Sequence, residues 1–439
     1  MKPRSSNLKT LYEYEQCKDS DIVYELNELA SSNEELYKFM EITSTYVKFR
    51  HYTGFIPTKN YRIQVLPKIS KLDMDEKNSR DNLIRILLYI FSPPEVSIPK
   101  VEINDDAELD MLDLIIRMYA ITLEEQILQG AYRKYIRFSE ESKFLRGKLN
   151  VAKQIRSIDH SKFSINDFRF SMDNDLNRFF AHANRYFMRL THNSTNTNLL
   201  AWIDGILHDE DISPWSRCKI NFNRLNERFR TPYIYASMIL DNLIMMSGGR
   251  RNNITMIFNM NRVFEQFFAK FINKNKETIF SNMSPKIEIQ FRSNNFIYNY
   301  NAGDIKKSLR FTKPDVILSL DNYTCIFDTK YKKLNDPRID RIKVKTDKVH
   351  SIASSDLYQM YTYSQVYNAK HTVLVFPGYK NQLSNSYVFT LKNKEKKLWI
   401  YMLKLNFNSS KWEVDLVNKF KEDFMEIIKV DHQNNCTFL

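Results

Sequence analysis

Glycine is scarce in this chain, with only 8 among 439 residues. Neither GxGxxG nor GxxxxGK[ST] occurs, so the glycine-rich cradles that present a helix N-terminus to phosphates are missing. The expectation is that this chain binds no nucleotide, and that any nucleotide-driven motor it works with is another protein. Cysteine is equally thin. Cys17, Cys218, Cys325 and Cys436 lie far apart with no CxxC pair, which leaves no zinc ribbon or disulfide framework and fits a reducing cytoplasm. Long apolar runs are also lacking. The longest, Leu83 to Phe91, is interrupted by Arg85 and is too short to span a bilayer. The first residues, MKPRSSNLKTLYEYEQC, hold basic groups but not the apolar centre of a signal peptide. A cytoplasmic location with no membrane partner is expected.

What is present is a globular composition, 43% hydrophobic and 13% aromatic, in a chain long enough for two or three cores. Lys and Arg total 65 against 52 Asp and Glu, a net charge of +13. That balance suits a polyanionic partner, DNA or RNA first. An AT-rich genome also enriches Asn, Lys, Ile, Tyr and Phe, so charge alone does not separate binding from codon bias.

The pattern divides the chain into three regions. Over 1–140 it reads as mixed α/β: TSTYVKFRHYTGFIPTKNYRIQVLPKIS alternates apolar and polar residues and breaks at Gly54, Pro57 and Pro67. Arg50, Lys59 and Arg62 fall in or beside a loop between strands, either as a solvated loop or as a projecting basic element. A helix over Asp81–Phe91 stops at Pro93-Pro94, and a longer one is expected over 107–138. The region 141–250 reads as mainly helical, ending in an apolar helix from Tyr233 to Met246. The region 251–439 opens with a helix, NMNRVFEQFFAKFINKN, followed by strands, a helix over Ser354–Tyr367 and a strand over His371–Phe376. The expected class is α+β and multidomain, with a C-terminal mixed sheet flanked by helices.

One stretch of that last region is not explained by packing. KPDVILSLDNYTCIFDTKYK reads as two strands joined by a turn at Asp321-Asn322. Asp315 stands at the mouth of the first strand. Asp328 and Lys330 end the second, two apart and therefore on one face. Two carboxylates and an ammonium there can hold a divalent cation and position a water for phosphodiester hydrolysis. Mg2+, with Mn2+ as the alternative, takes hard oxygen ligands and keeps several waters. Asp315, Asp328, the backbone carbonyl of Thr329 and a substrate phosphate would suffice. Lys330 would orient the water or steady developing charge, and Gln359 would fix a water or phosphate oxygen from the neighbouring helix. The competing reading is that the two aspartates end strands and pair with Lys330 at the surface. The acidic-x-Lys triplet alone does not decide, since Asp75 to Lys77, Glu141 to Lys143 and Asp304 to Lys306 also match it.

The ordered set VFEQFF, KPDVIL, IFDTKYK, SSDLYQMYTYSQVY and VLVFP resembles the PD-(D/E)xK nuclease superfamily, and more narrowly the McrC family of restriction subunits. VLPKI, EEQILQGAYRKYI, FLRGKLN and DNDLNRFF extend the resemblance over most of the chain. It implies that Asp315, Asp328 and Lys330 are catalytic, with Gln359 and Glu265 lining the site and Glu265 a further metal candidate. It further implies a Mg2+-dependent DNA endonuclease of a GTP-dependent, modification-dependent restriction complex. The implied partner is a McrB-like AAA+ GTPase hexamer, contacted through residues 1–140 near Arg50, Lys59 and Arg62. A non-cleaving adaptor that activates the partner and a stand-alone repair nuclease are the alternatives.

Overall fold

The computed structural model describes residues 7–92, 109–145, 147–159, 161–207, 215–216, 220–245, 254–281, 283–291, 293–300, 306–320, 323–334, 352–379, 387–390, 396–407, 409 and 411–435. The chain forms two compact units, Met1–Lys100 with Met245–Leu439, and Val101–Ile244. This differs from the expected division at 140 and 250, because the N-terminal strands are built into the same unit as the C-terminal sheet.

The N-terminal part runs β1 (Asn7–Tyr12), β2 (Gln16–Cys17), α1 (Ser20–Ser32), β3 (Met40–Ile42), β4 (Val47–Phe49), β5 (Tyr52–Pro57), β6 (Tyr61–Leu66) and α2 (Glu76–Phe91). Asp19 caps α1, its carboxylate accepting from the backbone N–H of Asp21 and Ile22. Ile22, Val23, Leu26 and Ala30 then fall on one helical face and pack with Val47, Phe49, Ile56, Ile63 and Val65. Arg62 is not in a loop. It lies within β6, buried, its guanidinium 5.0 Å from the centre of the Phe55 ring.

The Val101–Ile244 unit holds α3 (Met111–Leu128), β7 (Lys134–Ser142), β8 (Lys148–Leu149), α4 (Val151–Arg156), β9 (Phe163–Ser171), α5 (Asp175–Leu190), α6 (Ser194–Leu207) and α7 (Arg230–Asp241). Tyr119 of α3 meets Phe187 of α5 edge to face at 5.0 Å, and the Asn184 amide donates to Leu200 O of α6. The helix expected over 107–138 stops at Leu128, and Gly130 follows with φ +113°. The basic, aromatic stretch after it is a strand, β7, paired antiparallel with β9 from Lys134↔Ser171 to Ser142↔Phe163. The middle of the chain, expected to be mainly helical, carries a small sheet beside its helices. The helix expected to reach Met246 ends at Asp241, and β10 (Leu243–Met245) follows it.

β11 (Ile254–Asn259) returns to the first unit and pairs antiparallel with β5, so part of one sheet runs β1-β6-β5-β11. Gly54 was expected to break the strand and instead sits inside β5, opposite Ile257. Its φ is +143°, and a Cβ there would lie 2.0 Å from Met256 O. Only glycine permits this approach. The helix α2 is tied to the C-terminal part as well. The Asn82 side chain bridges Leu405 O and Phe407 N, and Arg85 donates to Phe407 O.

The C-terminal part continues α8 (Met260–Ile279), β12 (Lys286–Ile289), β13 (Ser293–Tyr300), β14 (Lys306–Thr312), β15 (Val316–Leu320), β16 (Tyr323–Thr329), α9 (Ser354–Val366), β17 (His371–Gly378), β18 (Tyr387–Thr390), β19 (Lys397–Lys404) and α10 (Trp412–Asn435). A mixed sheet is ordered β12-β15-β16-β17-β19-β18. β15 and β16 form the expected hairpin, Val316↔Phe327 to Leu320↔Tyr323, while β16, β17 and β19 run parallel. β17 is buried throughout, as a parallel strand covered on both faces should be. On one face α8 and α10 meet the sheet through Phe268, Phe420 and Phe424 around Phe327. On the other, Met360 and Tyr363 of α9 pack with Ile317, Ile326, Leu374 and Ile400. A buried phenylalanine in such a cluster is worth about 3–5 kcal/mol on truncation to alanine.

Candidate active site

Strand alternation explains where the site forms. Along β16, Phe327 points to the α8 face, while Ile326 packs with α9. Asp328 and then Lys330 follow Ile326 on the α9 side. The side chain of Asp328 is only 3% exposed, an unusual place for a carboxylate unless it is paired or ligated.

Lys330 Nζ lies 2.5 Å from Asp328 Oδ2 and donates to Gln359 Oε1 at 2.9 Å. Gln359 in turn donates through Nε2 to Tyr363 OH at 2.8 Å and, more weakly, to Asp328 Oδ1 at 3.4 Å. Asp315 enters from the mouth of β15. Its Oδ2 accepts from both the backbone N–H and the hydroxyl of Thr329, at 2.7 and 2.6 Å. Those two bonds fix one carboxylate oxygen. Glu265, on α8, accepts from the side chain of Gln290.

The charges are not balanced within the cluster. Burial, and then the negative charge of Asp315, raises the Asp328 carboxyl to about 7, although Lys330 pulls the other way. Burial and Asp315 also raise Glu265. Burial pushes the Tyr363 hydroxyl up to about 12, with Asp328 and Asp315 adding to the effect and the Gln359 hydrogen bond opposing it. Two carboxyls raised by burial and by the charge of Asp315 are a set that a cation would relieve. Asp328 Oδ2 is buried against the Lys330 ammonium. Among the described residues no group of three or more His, Cys, Asp or Glu side chains forms a metal cage. The donor set is thus two aspartates with Glu265 beside them, sparse enough for a cation that keeps several waters.

Asp315, Asp328, Lys330 and Gln359 are therefore brought together, and Glu265 borders them. Arg50, Lys59 and Arg62 do not form one projecting element. Arg50 is exposed and paired with Glu41, Lys59 is exposed between β5 and β6, and Arg62 is buried. Two residues of the site were missed. Asp356 lies in the first turn of α9, whose cap position is Ala353. Asp356 is buried, 2.8 Å from Lys332 Nζ and 4.0 Å from Lys330 Nζ. Tyr363 reads as part of a helix stripe, and its position four residues after Gln359 was the available signal.

A family model described as "McrBC 5-methylcytosine restriction system component" matches residues 47–377. No curated protein matches the chain. Among solved structures, it resembles a chain of the half-complex of Thermococcus gammatolerans McrB AAA+ hexamers with bound McrC. The identity is 21%, the coverage 96% of this chain and 100% of that one, and the TM-score 0.66. A chain of the cryo-EM structure of the Thermococcus gammatolerans McrBC complex is 26% identical over 62% of this chain and 88% of that one, with a TM-score of 0.49. No described helix is long and apolar enough to cross a membrane. With three-quarters of its length inside the family match, the chain belongs to the McrBC 5-methylcytosine restriction system components.

Proposed function

We propose that this chain is the DNA endonuclease subunit of a GTP-dependent, modification-dependent restriction complex, with a PD-(D/E)xK site that uses Mg2+. The observation that carries the reading is the buried Asp328 held between Lys330 and Gln359, with Asp315 fixed next to it by Thr329. Asp315 and Asp328 would hold the cation, with the Thr329 carbonyl and Glu265 as further candidates. When bound, Mg2+ favours ionisation of a water and offsets charge on the phosphoryl oxygens. Lys330 presents an ammonium to the same space and can orient the attacking water or steady charge on the phosphate. Gln359 keeps Lys330 and Asp328 in register, and Tyr363 anchors Gln359. Asp356 sets the position of Lys332 at the edge of the site.

The partner follows from the family together with the missing phosphate cradle. A separate AAA+ GTPase would supply recognition and drive, and this chain would supply the cut. For the contact we favour the antiparallel β7–β9 strand pair over the Arg50, Lys59 and Arg62 neighbourhood. Tyr135, Phe168 and Phe170 stand more than half exposed on one face of it beside Arg137. An exposed aromatic set of this kind serves binding rather than folding. The test is Asp328→Ala in the complex reconstituted with the AAA+ partner, GTP, Mg2+ and methylated DNA. Loss of cleavage with GTP hydrolysis retained is expected. Cleavage that survives the substitution would sink the assignment.

A further inference from the structure

Asp356 is a buried carboxylate for which the proposed chemistry has no direct use. It sits in the first turn of α9 and is 7% exposed. A carboxylate so placed needs strong pairing. Its Oδ2 lies 2.8 Å from Lys332 Nζ, but that lysine side chain is 47% exposed, and water screens such a pair. Its Oδ1 stands 4.0 Å from Lys330 Nζ, too far for a hydrogen bond. Asp356 is therefore one short step from a deeper ammonium that is bonded to other groups.

Lys330 carries that ammonium on a side chain only 17% exposed. Asp328 Oδ2 at 2.5 Å and Gln359 Oε1 at 2.9 Å hold it. The backbone is fixed on both sides, since Lys330 N–H donates to Val375 O and Lys330 O accepts from Lys332 N–H. A change of partner must then be made by the side chain, a flexible four-carbon stem. The site contains a cause for such a change. Lys330 occupies the carboxylate assigned to the cation, and an ammonium and a divalent cation repel at close range. Counting charges leads to the same point. Asp315 and Asp328 together match a divalent cation, which leaves Lys330 without its counter-ion. Asp356 supplies one.

We propose that Asp356 is a positioning residue that takes over Lys330 when a divalent cation enters the site. As the site stands, Lys330 neutralises the buried Asp328. Once Asp328 serves the cation, Lys330 turns to Asp356 while Gln359 retains it. Filling of the site and placement of the lysine beside the attacking water then become one event. This inference rests on the nuclease reading, and within it on the cation role of Asp328.

The test reads cation affinity rather than cutting. Mn2+ is titrated into the full-length chain and followed by paramagnetic resonance. Lys330→Met removes the competing ammonium and should tighten binding about tenfold. Asp356→Asn should weaken binding about tenfold more in the wild type than in Lys330→Met, because only the wild type has a lysine to hand over. Asp356→Ser repeats the comparison, and melting temperatures show that each variant is folded. Lys332→Gln, which removes the other lysine of Asp356, should not weaken binding. Equal losses from Asp356→Asn in both backgrounds would mean a plain field effect. That result, at a site that Asp328→Ala abolishes, would overturn the hand-over alone, as would an Lys330→Met affinity equal to the wild type or a loss reproduced by Lys332→Gln. A Mn2+ site absent from the wild type and from Lys330→Met alike would overturn the cation reading, and the hand-over with it.

Discussion

Glu13, at the end of the first strand, accepts a hydrogen bond from the hydroxyl of Tyr331 at 3.0 Å, and Tyr331 directly follows Lys330. The same carboxylate oxygen accepts from Lys68 N–H. The contact is buried on both sides. The N-terminal part thus grips the chain at the point where the site ends, and a movement of one is felt by the other.

Removing that grip has a signed pH consequence. Burial raises Glu13 above its ordinary value, with Lys68 and the two hydrogen bonds pulling the other way. The folded state therefore binds more protons than the unfolded state above the ordinary carboxyl range. Stability falls as pH rises through that window. Glu13→Gln should flatten the fall. Tyr331→Phe should cost about 1–3 kcal/mol by leaving a buried acceptor short of a donor. Urea unfolding at a series of pH values between 4 and 8 reads both.

Asp328→Asn should stabilise the metal-free protein at pH 8. The folded-state carboxyl, raised from 3.8 to about 7, opposes ionisation, and the penalty grows as pH rises between those values. At about 1.4 kcal/mol per unit it amounts to a few kcal/mol. Thermal melts in EDTA should show the variant above the wild type at pH 8 and level with it near pH 4. A variant that melts lower at pH 8 would mean Asp328 is paired for stability rather than kept for a cation.

Gly54→Ala should unfold or severely weaken the Met1–Lys100 with Met245–Leu439 unit. The added Cβ meets Met256 O at 2.0 Å, backbone that has no side chain to swing away, and the positive φ adds strain of about 1–2 kcal/mol. Circular dichroism melts would show this as a loss of more than about 3 kcal/mol. Gly205, with nothing within 4 Å of such a Cβ, should accept alanine easily.

Tyr135→Ala with Phe170→Ala should leave the melting temperature nearly unchanged, because both rings are exposed and meet chiefly each other, at 5.1 Å. If the β7–β9 strand pair carries the partner contact, the double substitution should weaken association with the AAA+ ring at least tenfold. Sedimentation of the mixed proteins decides this, and full association would return the contact to the Arg50 and Lys59 neighbourhood.

The sequence was most informative where spacing and packing agree. The β15–β16 hairpin, the phenylalanine face of α8 and the helix carrying Gln359 all follow from period and turn residues. The aspartates stood out because strands rarely end in paired acids. What failed was contact between distant segments. Nothing local in 1–92 says that β5 pairs with β11, so the unit boundaries were misplaced. Gly54 read as a breaker because a close backbone approach from two hundred residues away leaves no local trace. The burial of Arg62, read as lying in or beside a loop, was not legible because the Phe55 ring that covers it is a tertiary neighbour. The burial of Asp356 left no local trace for the same reason, since its lysine partners lie on another element.

The central claim is that Asp315 and Asp328 together hold one divalent cation. Titration of Mn2+ into the full-length chain, followed by paramagnetic resonance, tests it most directly. The account predicts one tight site in the wild type and its loss in both Asp315→Ala and Asp328→Ala, with Lys59→Ala unaffected. A site that persists in the two aspartate variants, or no site in the wild type, would contradict it.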